Sequence, residues 1–327
     1  MRVGLIDLGD KLPNLALMKL STFHKAQGHQ VLLQGFTPSQ VDKVYISVVF
    51  TRLRKQAEKL LHIYPEAVVG GPGWDVKSTL PPEVESCRPD YDLYSAEFTA
   101  SRLKGRTATR MDKAIRIVNS GLGFSSRGCN RECGFCSVPK NEGKLRQAAP
   151  IAELINPHSN VLTLLDNNLC ADPLALDKLA EIRERGLTVN ITQGIDVRAL
   201  TPDLVQALSE VKHFGNLHFA WDQPQQESMV FRGIQLLSNW IKPYDQTCFV
   251  LTGFRSSFDE DMMRVRKLHE KKVRPYVQVF NDNEAGDLRL KHFRRWVNLF
   301  FYKRMAFDDY EPWRKVRESY FAQNPLF

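Results

Sequence analysis

Residues 125–140 read SSRGCNRECGFCSVPK and place three of the six cysteines, Cys129, Cys133 and Cys136, within eight residues. The loop is otherwise polar and contains glycine, so packing of three small apolar side chains explains it poorly. A structural zinc ion usually takes four ligands in two pairs, and a ferredoxin-type [4Fe–4S] carrier takes four thiolates. The next cysteine, Cys170, is distant in the sequence. Three thiolates would leave one iron of a four-iron cluster open for chemistry; a zinc site or a plain electron carrier is the alternative.

The composition around this loop is that of an ordinary globular protein. The chain has 327 residues, of which 43% are hydrophobic and 25% charged, and this length suits two domains. No apolar run reaches the roughly eighteen residues of a membrane span, and MRVGLIDLGD reads as a strand rather than a signal peptide. Thinly spread cysteines favour a reducing cytoplasm over a disulfide framework. We therefore expect a cytoplasmic protein; its net charge of +8 would suit a polyanion, although many basic enzymes bind none.

Strand patterns alternate with helical patterns from the cysteine loop onward. Asp172, Thr201 and Asp259 are candidate residues of helix N-cap regions, and Gly186 is a candidate helix stop. Six strand–helix units describe a partial (βα)6 barrel of the TIM type, two units short of a closed barrel. The predicted strands are 121–127, 160–166, 188–194, 216–222, 247–253 and 274–280.

A second set of strand and helix patterns precedes the loop and indicates a parallel sheet covered on both faces. The predicted strands are 3–9, 29–35, 43–50 and 66–71, and PNLALMKLSTFHKAQGH and TRLRKQAEKLLHIY are the helices. The sequence therefore predicts an α/β protein in four parts. They are a small Rossmann-like domain (1–85), a linker without clear periodicity (86–120), the partial barrel (121–285) and a helical extension (286–327).

The spacing Cys-x3-Cys-x2-Cys, preceded by SSRG and with Phe135 before the last cysteine, resembles the cluster loop of radical S-adenosylmethionine (SAM) enzymes. The resemblance implies a [4Fe–4S] cluster on Cys129, Cys133 and Cys136, with the amino and carboxylate groups of SAM on the fourth iron. It also implies that one electron splits a C–S bond of SAM, and that the resulting 5′-deoxyadenosyl radical abstracts hydrogen from a substrate. A reductant protein of the flavodoxin or ferredoxin type would supply the electron.

The resemblance also suggests SAM contacts at the carboxyl ends of the strands. Relatives often have a Gly-Gly-Glu-like segment after the second strand, which grips the SAM amino group. This chain has Asp166-Asn167-Asn168 there, without the glycines. Asp166 or Asn167 is therefore the candidate acceptor, and a polar turn with an Asx cap is the alternative.

Further candidates follow the later strands. Gln193, Asp196 and Arg198 resemble groups that hold the ribose and the carboxylate, although Arg198 would equally pair with Asp196. Gly253 would let adenine approach the backbone, or it simply ends a strand. The backbone from Val279 to Asn281 lies where relatives offer backbone groups to adenine. Phe135 is predicted to touch adenine or to shield the cluster.

Two residues near the predicted cavity have competing interpretations. Cys170 follows the second strand and is a candidate catalytic hydrogen-atom donor or a ligand of the fourth iron in the resting state, against the simpler interpretation of a buried spectator thiol. Trp221 precedes Asp222 at the end of the fourth strand and is either a wall of the cavity or a substrate contact. Cys248 reads as core, and Cys87 has no evident partner.

The first domain resembles the cobalamin-binding domain of the B12-type subgroup, through PNLALMKLSTFHKAQGHQV and VVGGPGWD. The usual Asp-x-His-x-x-Gly signature is missing from LIDLGDKLPN, and His24 and His29 lie elsewhere. We therefore expect a degenerate domain that does not bind cobalamin and serves as scaffold or substrate contact.

Residues 286–327 carry nine Lys and Arg against five Asp and Glu. Phe293, Trp296, Val297 and Phe300 recur at helical spacing, which predicts an amphipathic helix that caps the barrel. The alternative is a basic edge for nucleic acid or a phosphorylated substrate. Two other functions thus stay open: a nucleic-acid-modifying enzyme on the same barrel, and a cluster-bearing electron carrier or sensor without SAM chemistry.

Overall fold

The first seventy residues form a parallel four-stranded sheet. The computed structural model describes residues 1–9, 11–214, 217–280 and 287–323. The strand order is β2-β1-β3-β4, and every neighbouring pair is parallel. The strands are β1 (Arg2–Leu8), β2 (Gln30–Leu33), β3 (Lys43–Val48) and β4 (Val68–Gly70), and the helices between them are α1 (Leu15–Ala26) and α2 (Arg54–Ile63).

Local sequence explains these elements. Six of the seven residues of β1 are buried, because a central strand with helices on both faces has no solvent-facing side. The side chain of Asn14 accepts a hydrogen bond from the backbone N–H of Leu17 (3.2 Å) and so caps α1. Gly28, in the left-handed region at φ 73°, follows the end of that helix.

Residues 86–120 contain two helices that the sequence did not predict. Helix α5 (Thr107–Val118) buries only Ala114, but Met111, Ala114, Ile115 and Val118 recur at helical spacing, a pattern that the sequence analysis missed among the many charges of this stretch. The hydroxyl of Tyr91 accepts a bond from Leu122 N (3.1 Å) and donates to Leu154 O (2.5 Å), which ties this stretch to the following sheet. These two helices are α4 (Ala96–Ser101) and α5 (Thr107–Val118), and the one-turn helix α3 (Pro82–Glu85) precedes them.

The remaining strands are parallel except for one short hairpin. The strands are β5 (Gly121–Gly123), β6 (Ser126–Arg127), β7 (Arg146–Gln147), β8 (Val161–Leu164), β9 (Thr188–Ile191), β10 (Lys212–His213), β11 (Leu217–Trp221), β12 (Gln246–Thr252) and β13 (Arg274–Val279). One sheet has the order β10-β9-β8-β5 and another the order β11-β12-β13, while β6 and β7 pair antiparallel. A parallel bridge between Ile195 and Phe219 connects the two larger sheets.

Helices cover these sheets on the side that holds the largest apolar core. They are α6 (Val138–Asn141), α7 (Ile151–Leu154), α8 (Ala175–Glu184), α9 (Pro202–Glu210), α10 (Glu227–Ser238), α11 (Phe258–Glu270), α12 (Leu288–Asn298), α13 (Glu311–Arg314) and α14 (Arg317–Gln323). The fold is therefore mixed α/β with parallel sheets. None of the helices in the described part of the chain has the length and apolarity needed to cross a membrane.

Most elements after residue 120 match the sequence predictions closely. Each of the six predicted strands overlaps an observed one, Thr201 caps α9 by accepting from Leu204 N (3.2 Å), and Gly186 follows α8 at φ 65°. Asp259 lies in the first turn of α11, next to the cap, and the N-cap itself is Ser257. Ser257 caps α11 through a capping box with Glu260, because the Ser–x–x–Glu pair bonds both free N–H groups.

The carboxyl-terminal extension packs as the amphipathic pattern predicts. Phe293, Trp296 and Val297 of α12 are buried, whereas Phe300 follows the helix at φ 65°. The side-chain amide of Asn298 bonds both the N–H (2.8 Å) and the C=O (3.0 Å) of Val277, so α12 covers the outer edge of β13. This packing supports the role of a cap.

Candidate active site at the cysteine loop

The cysteine loop is closed at its base by the β6–β7 hairpin, in which Ser126 pairs with Gln147. Above the hairpin, the N–H of Cys129 donates to Gly143 O (3.1 Å). The guanidinium of Arg127 forms two bonds with the Glu142 carboxylate (2.8 and 3.0 Å). Backbone and side-chain contacts therefore join both ends of the loop without help from a ligand.

Gly128 is required for this closure. Its φ is 85°, which L side chains rarely adopt, and an added Cβ would lie 2.3 Å from Lys144 O. The turn that brings Cys129 onto Gly143 therefore depends on glycine immediately before the first cysteine.

The three loop thiols are partly exposed, and each carries a different set of neighbours. The Cys129 sulfur accepts from Arg131 N (3.4 Å) and from the side-chain amide of Asn168 (3.5 Å). Arg198 Nη1 lies 4.0 Å from the Cys133 sulfur. Burial raises the pKa of Cys136, and the neighbouring thiols of Cys133 and Cys129 add to that shift.

These donors fit a cluster better than a single ion. In the described ranges, no three His, Cys, Asp or Glu side chains lie close enough together to hold one metal ion. Each thiolate of a four-iron cluster binds a different iron, so a cluster does not require the sulfurs to converge on one point. A sulfur-only donor set with N–H donors beside it suits an iron–sulfur cluster.

Asp166, a predicted SAM ligand, is fully engaged inside the protein and is 1% exposed. Its carboxylate accepts from the N–H groups of Ser125 (2.7 Å) and Ser126 (2.8 Å) and from their hydroxyls (2.5 and 2.8 Å). Because four donors already surround the buried carboxylate, we correct the prediction that Asp166 grips SAM.

The next two residues also bond to the loop. The Oδ1 atom of Asn167 accepts from Gly128 N (2.8 Å). The side-chain amide of Asn168 donates to Asp196 Oδ2 (3.2 Å) as well as to Cys129, while its Oδ1 accepts from Ala171 N (3.2 Å). The Asx-turn interpretation of this segment thus holds for Asn168, and the acceptor oxygen of Asn167 is already used.

Asp196 and Arg198 form a bidentate ion pair (2.6 and 3.1 Å), and Arg131 of the cysteine loop joins it at 3.0 Å. Burial works to raise the pKa of Asp196, but these cations outweigh it, so that the pKa lies below its usual range. Burial likewise works to lower the pKa of Arg198, and its bonds to Asp196 raise it instead. Gln193 is exposed nearby.

Three phenylalanines meet beside the loop. Phe135 contacts Phe254 edge-on with ring centroids 5.4 Å apart, and Phe254 contacts Phe280 at 4.9 Å. Phe135 and Val279 line one cavity of about 420 Å³. Gly253, at φ 74°, precedes Phe254. The structure therefore brings the predicted adenine contacts together, except Asn281, which lies outside the described residues.

Asp222 is a candidate that the sequence analysis named only as a neighbour of Trp221. It follows β11, is partly buried, and its carboxylate has no hydrogen bond or ion pair with any described residue. Burial raises its pKa to about 6, although Arg198 and Arg264 act against that shift. Its proximity to Arg198 would have indicated a ligand contact, but only the fold brings these two residues together.

The other thiol and aromatic candidates lie in the core. Cys170 is 6% exposed, and burial raises its pKa to about 12, which favours the interpretation of a spectator thiol. Trp221 is fully buried against Phe231 (5.3 Å) and is therefore packed in the core, where no substrate reaches it. Cys248 is fully buried, as predicted.

The carboxyl edge of the first sheet has its own polar network. Asp7 is 5% exposed, accepts from Tyr94 OH (2.8 Å) and pairs with Arg102 Nη1 (2.6 Å). At the opposite, amino-terminal edge of the sheet, His24 is buried near the end of α1 and bonds His29 (3.1 Å) and Tyr45 OH (3.0 Å). Both nitrogens of the His24 ring are therefore used inside the protein.

A cavity of about 1330 Å³ lies between this sheet and the base of the cysteine loop. Arg127 and Glu142 line one side, and Gly71 lies on the other. Gly71 has φ 97°, and an added Cβ would lie 2.6 Å from Val48 O, so this glycine serves packing within the sheet.

No protein-family model and no curated protein matches the chain. Among solved structures, it is similar to Streptococcus suis SuiB bound to S-adenosylmethionine, with 15% identity and a TM-score of 0.40 over 64% of this chain and 57% of that one. It is also similar to Streptococcus suis SuiB bound to the precursor peptide SuiA, with 12% identity and a TM-score of 0.41 over 78% of this chain and 60% of that one. The chain thus spans less than two thirds of either protein, and likeness at these scores carries no argument.

Proposed function

We propose that this chain is a radical SAM enzyme. The observation that carries the proposal is one closed loop at the carboxyl end of a parallel strand that presents Cys129, Cys133 and Cys136, with N–H donors directed at Cys129. When bound, a [4Fe–4S] cluster supplies the electron that cleaves SAM to a 5′-deoxyadenosyl radical, which abstracts hydrogen from substrate. The partial barrel around the cluster would consist of six parallel strands, β5, β8, β9, β11, β12 and β13.

The residues of the chain would orient SAM and keep water from it. Arg198 would attract the SAM carboxylate, since it is partly exposed and its pair with Asp196 keeps it in place. The ring of Phe135 and the backbone of Val279 would face adenine in the small cavity that they share. These two contact regions would then hold opposite ends of the same SAM molecule.

Asp222 would accept hydrogen bonds from the ribose hydroxyls of SAM. It follows β11, whereas Arg198 follows β9 and Phe254 follows β12, so its position is between the two ends of the ligand. An unpartnered, partly buried carboxylate costs free energy until a donor reaches it. Carboxylates commonly hold ribose hydroxyls in nucleotide sites.

The first sheet would then be a support without cobalamin. The chain lacks the signature histidine, and His24 is engaged by His29 and Tyr45. Protein produced with abundant cobalamin should therefore purify without corrinoid absorbance.

Anaerobic reconstitution tests the main proposal. We expect one [4Fe–4S] cluster per chain, a change in the EPR signal of the reduced cluster on addition of SAM, and slow formation of 5′-deoxyadenosine with a strong reductant. The proposal would be overturned by zinc in place of iron, or by a cluster whose EPR signal does not change when SAM is added. The second outcome would favour an electron carrier.

A further inference from the structure

We propose that Asp166-Asn167-Asn168 is a brace that holds the cysteine loop in its ligand-binding shape before any cofactor binds. The bonds from Asp166 end on Ser125 and Ser126, and that from Asn167 ends on Gly128. All these contacts are made within the polypeptide, so their formation does not depend on a cluster or on SAM.

The chemistry of the contacts suits a positioning role. Asp166 is a buried carboxylate whose charge is compensated by four neutral donors, and bonds of this type to an ionised acceptor are strong. Lys178 adds a bond from its ammonium to Ser125 O (3.0 Å). The entrance of the loop is therefore bonded through both its N–H and its C=O groups.

Asn168 extends the brace to a thiol. Its side-chain amide lies 3.5 Å from the Cys129 sulfur and is held in place by Asp196 at 3.2 Å. An N–H donor to a cluster sulfur stabilises the reduced, more negative cluster and so raises the reduction potential. This second role deepens the proposed function and rests on it, whereas the brace itself does not.

Amide hydrogen exchange on the full-length, cluster-free protein tests the brace. Asn167→Ala should speed exchange at the Gly128 amide by about tenfold or more, because that N–H loses its acceptor. Asp166→Asn should do the same at Ser125 and Ser126. The matched control is Asn156→Ala, since Asn156 is also buried and bonded to backbone, at Val118 O (3.1 Å) and His158 N (2.9 Å).

In the Asn156→Ala control, hydrogen exchange at the amides of Ser125, Ser126 and Gly128 should remain as slow as in wild type. Should Asp166→Asn fail to fold, Asn167→Ala alone decides the test. Exchange at Gly128 in that variant equal to the control would overturn the brace, whether or not the protein holds a cluster.

Redox titration of the reconstituted protein tests Asn168. Asn168→Ser keeps an oxygen to cap Ala171 but removes the amide donor to Cys129. We expect the variant to retain its cluster and to favour the oxidised form about tenfold more, a shift of roughly 59 mV for one electron. An unchanged potential would overturn the role of Asn168, and wild-type protein without a cluster would overturn the proposed function while leaving the exchange result to judge the brace.

Discussion

Asp7 and Asp222 both lie at the carboxyl ends of parallel strands, yet their surroundings are opposite. Asp7, on β1, is paired with Arg102 and Tyr94. Asp222, after β11, has no bonding partner among the described residues, and burial raises its pKa to about 6. Position at a strand end therefore does not by itself identify a ligand-binding residue. What distinguishes the two is whether the protein already uses the carboxylate.

The largest effect is expected at the cysteine loop, which belongs to the same region as Asp222 and not to the first sheet with Asp7. Replacing Cys129, Cys133 or Cys136 by Ala should abolish cluster retention, because a second iron would lose its protein ligand. Iron and sulfide analysis after anaerobic reconstitution measures this. Cys170→Ala is the matched control and should keep the cluster, since that thiol is buried in the core. A loop variant that retains a full cluster would contradict the assignment.

Removal of the Asp7 carboxylate should harm stability alone. Asp7→Asn leaves the largely buried Arg102 guanidinium without its counter-charge, which should cost about 3 kcal/mol of unfolding free energy. Urea denaturation measures this cost. The cluster content of the folded variant should stay at the wild-type level. A loss of cluster without a loss of stability would contradict the purely structural role of Asp7.

Removal of the Asp222 charge should lower the affinity for SAM instead of the stability of the fold. Asp222→Asn should weaken SAM binding about tenfold or more through the loss of charge-assisted hydrogen bonds to the ribose. Calorimetric titration of the reconstituted protein with SAM measures this. Asp203→Asn is a suitable control because Asp203 is exposed on α9. Equal affinity for SAM in both variants would remove Asp222 from the site.

The stability of the Asp222→Asn variant relative to wild type should depend on pH. The pKa of Asp222 is higher in the folded protein, at about 6, than the roughly 3.9 of an unfolded chain. The folded state therefore binds this proton more tightly, and the buried charge destabilises it fully above pH 6. Asp222→Asn should be more stable than wild type by about 1 kcal/mol at pH 7.5, and this difference should vanish as the pH falls towards 4. Urea denaturation at both pH values checks the sign.

The smallest effect is expected in the basic extension. Arg295 is exposed on α12, away from the buried face of that helix. Arg295→Glu should change unfolding free energy by less than about 0.5 kcal/mol and leave SAM binding intact. A large, salt-dependent loss of substrate binding in this variant would instead indicate a polyanionic substrate.

Local patterns in the sequence determined much of this protein. The three loop cysteines fall within eight residues, so their spacing can be read directly from the sequence. The strands and helices after residue 120 follow from periodicity and from capping residues that are near neighbours in the chain. Helix α5 was not predicted although Met111, Ala114, Ile115 and Val118 recur at helical spacing, because the charged residues around them obscured this short apolar face.

Only the tertiary structure decided which polar side chains are available to a ligand. Asp166 looked like an acceptor for SAM, but Ser125, 41 positions earlier, occupies it. Asp222 looked like a neighbour of Trp221, but among the described residues the fold gives its carboxylate no hydrogen-bond partner. A side chain is free or engaged according to what distant segments bring beside it, and that information is absent from any short stretch of sequence.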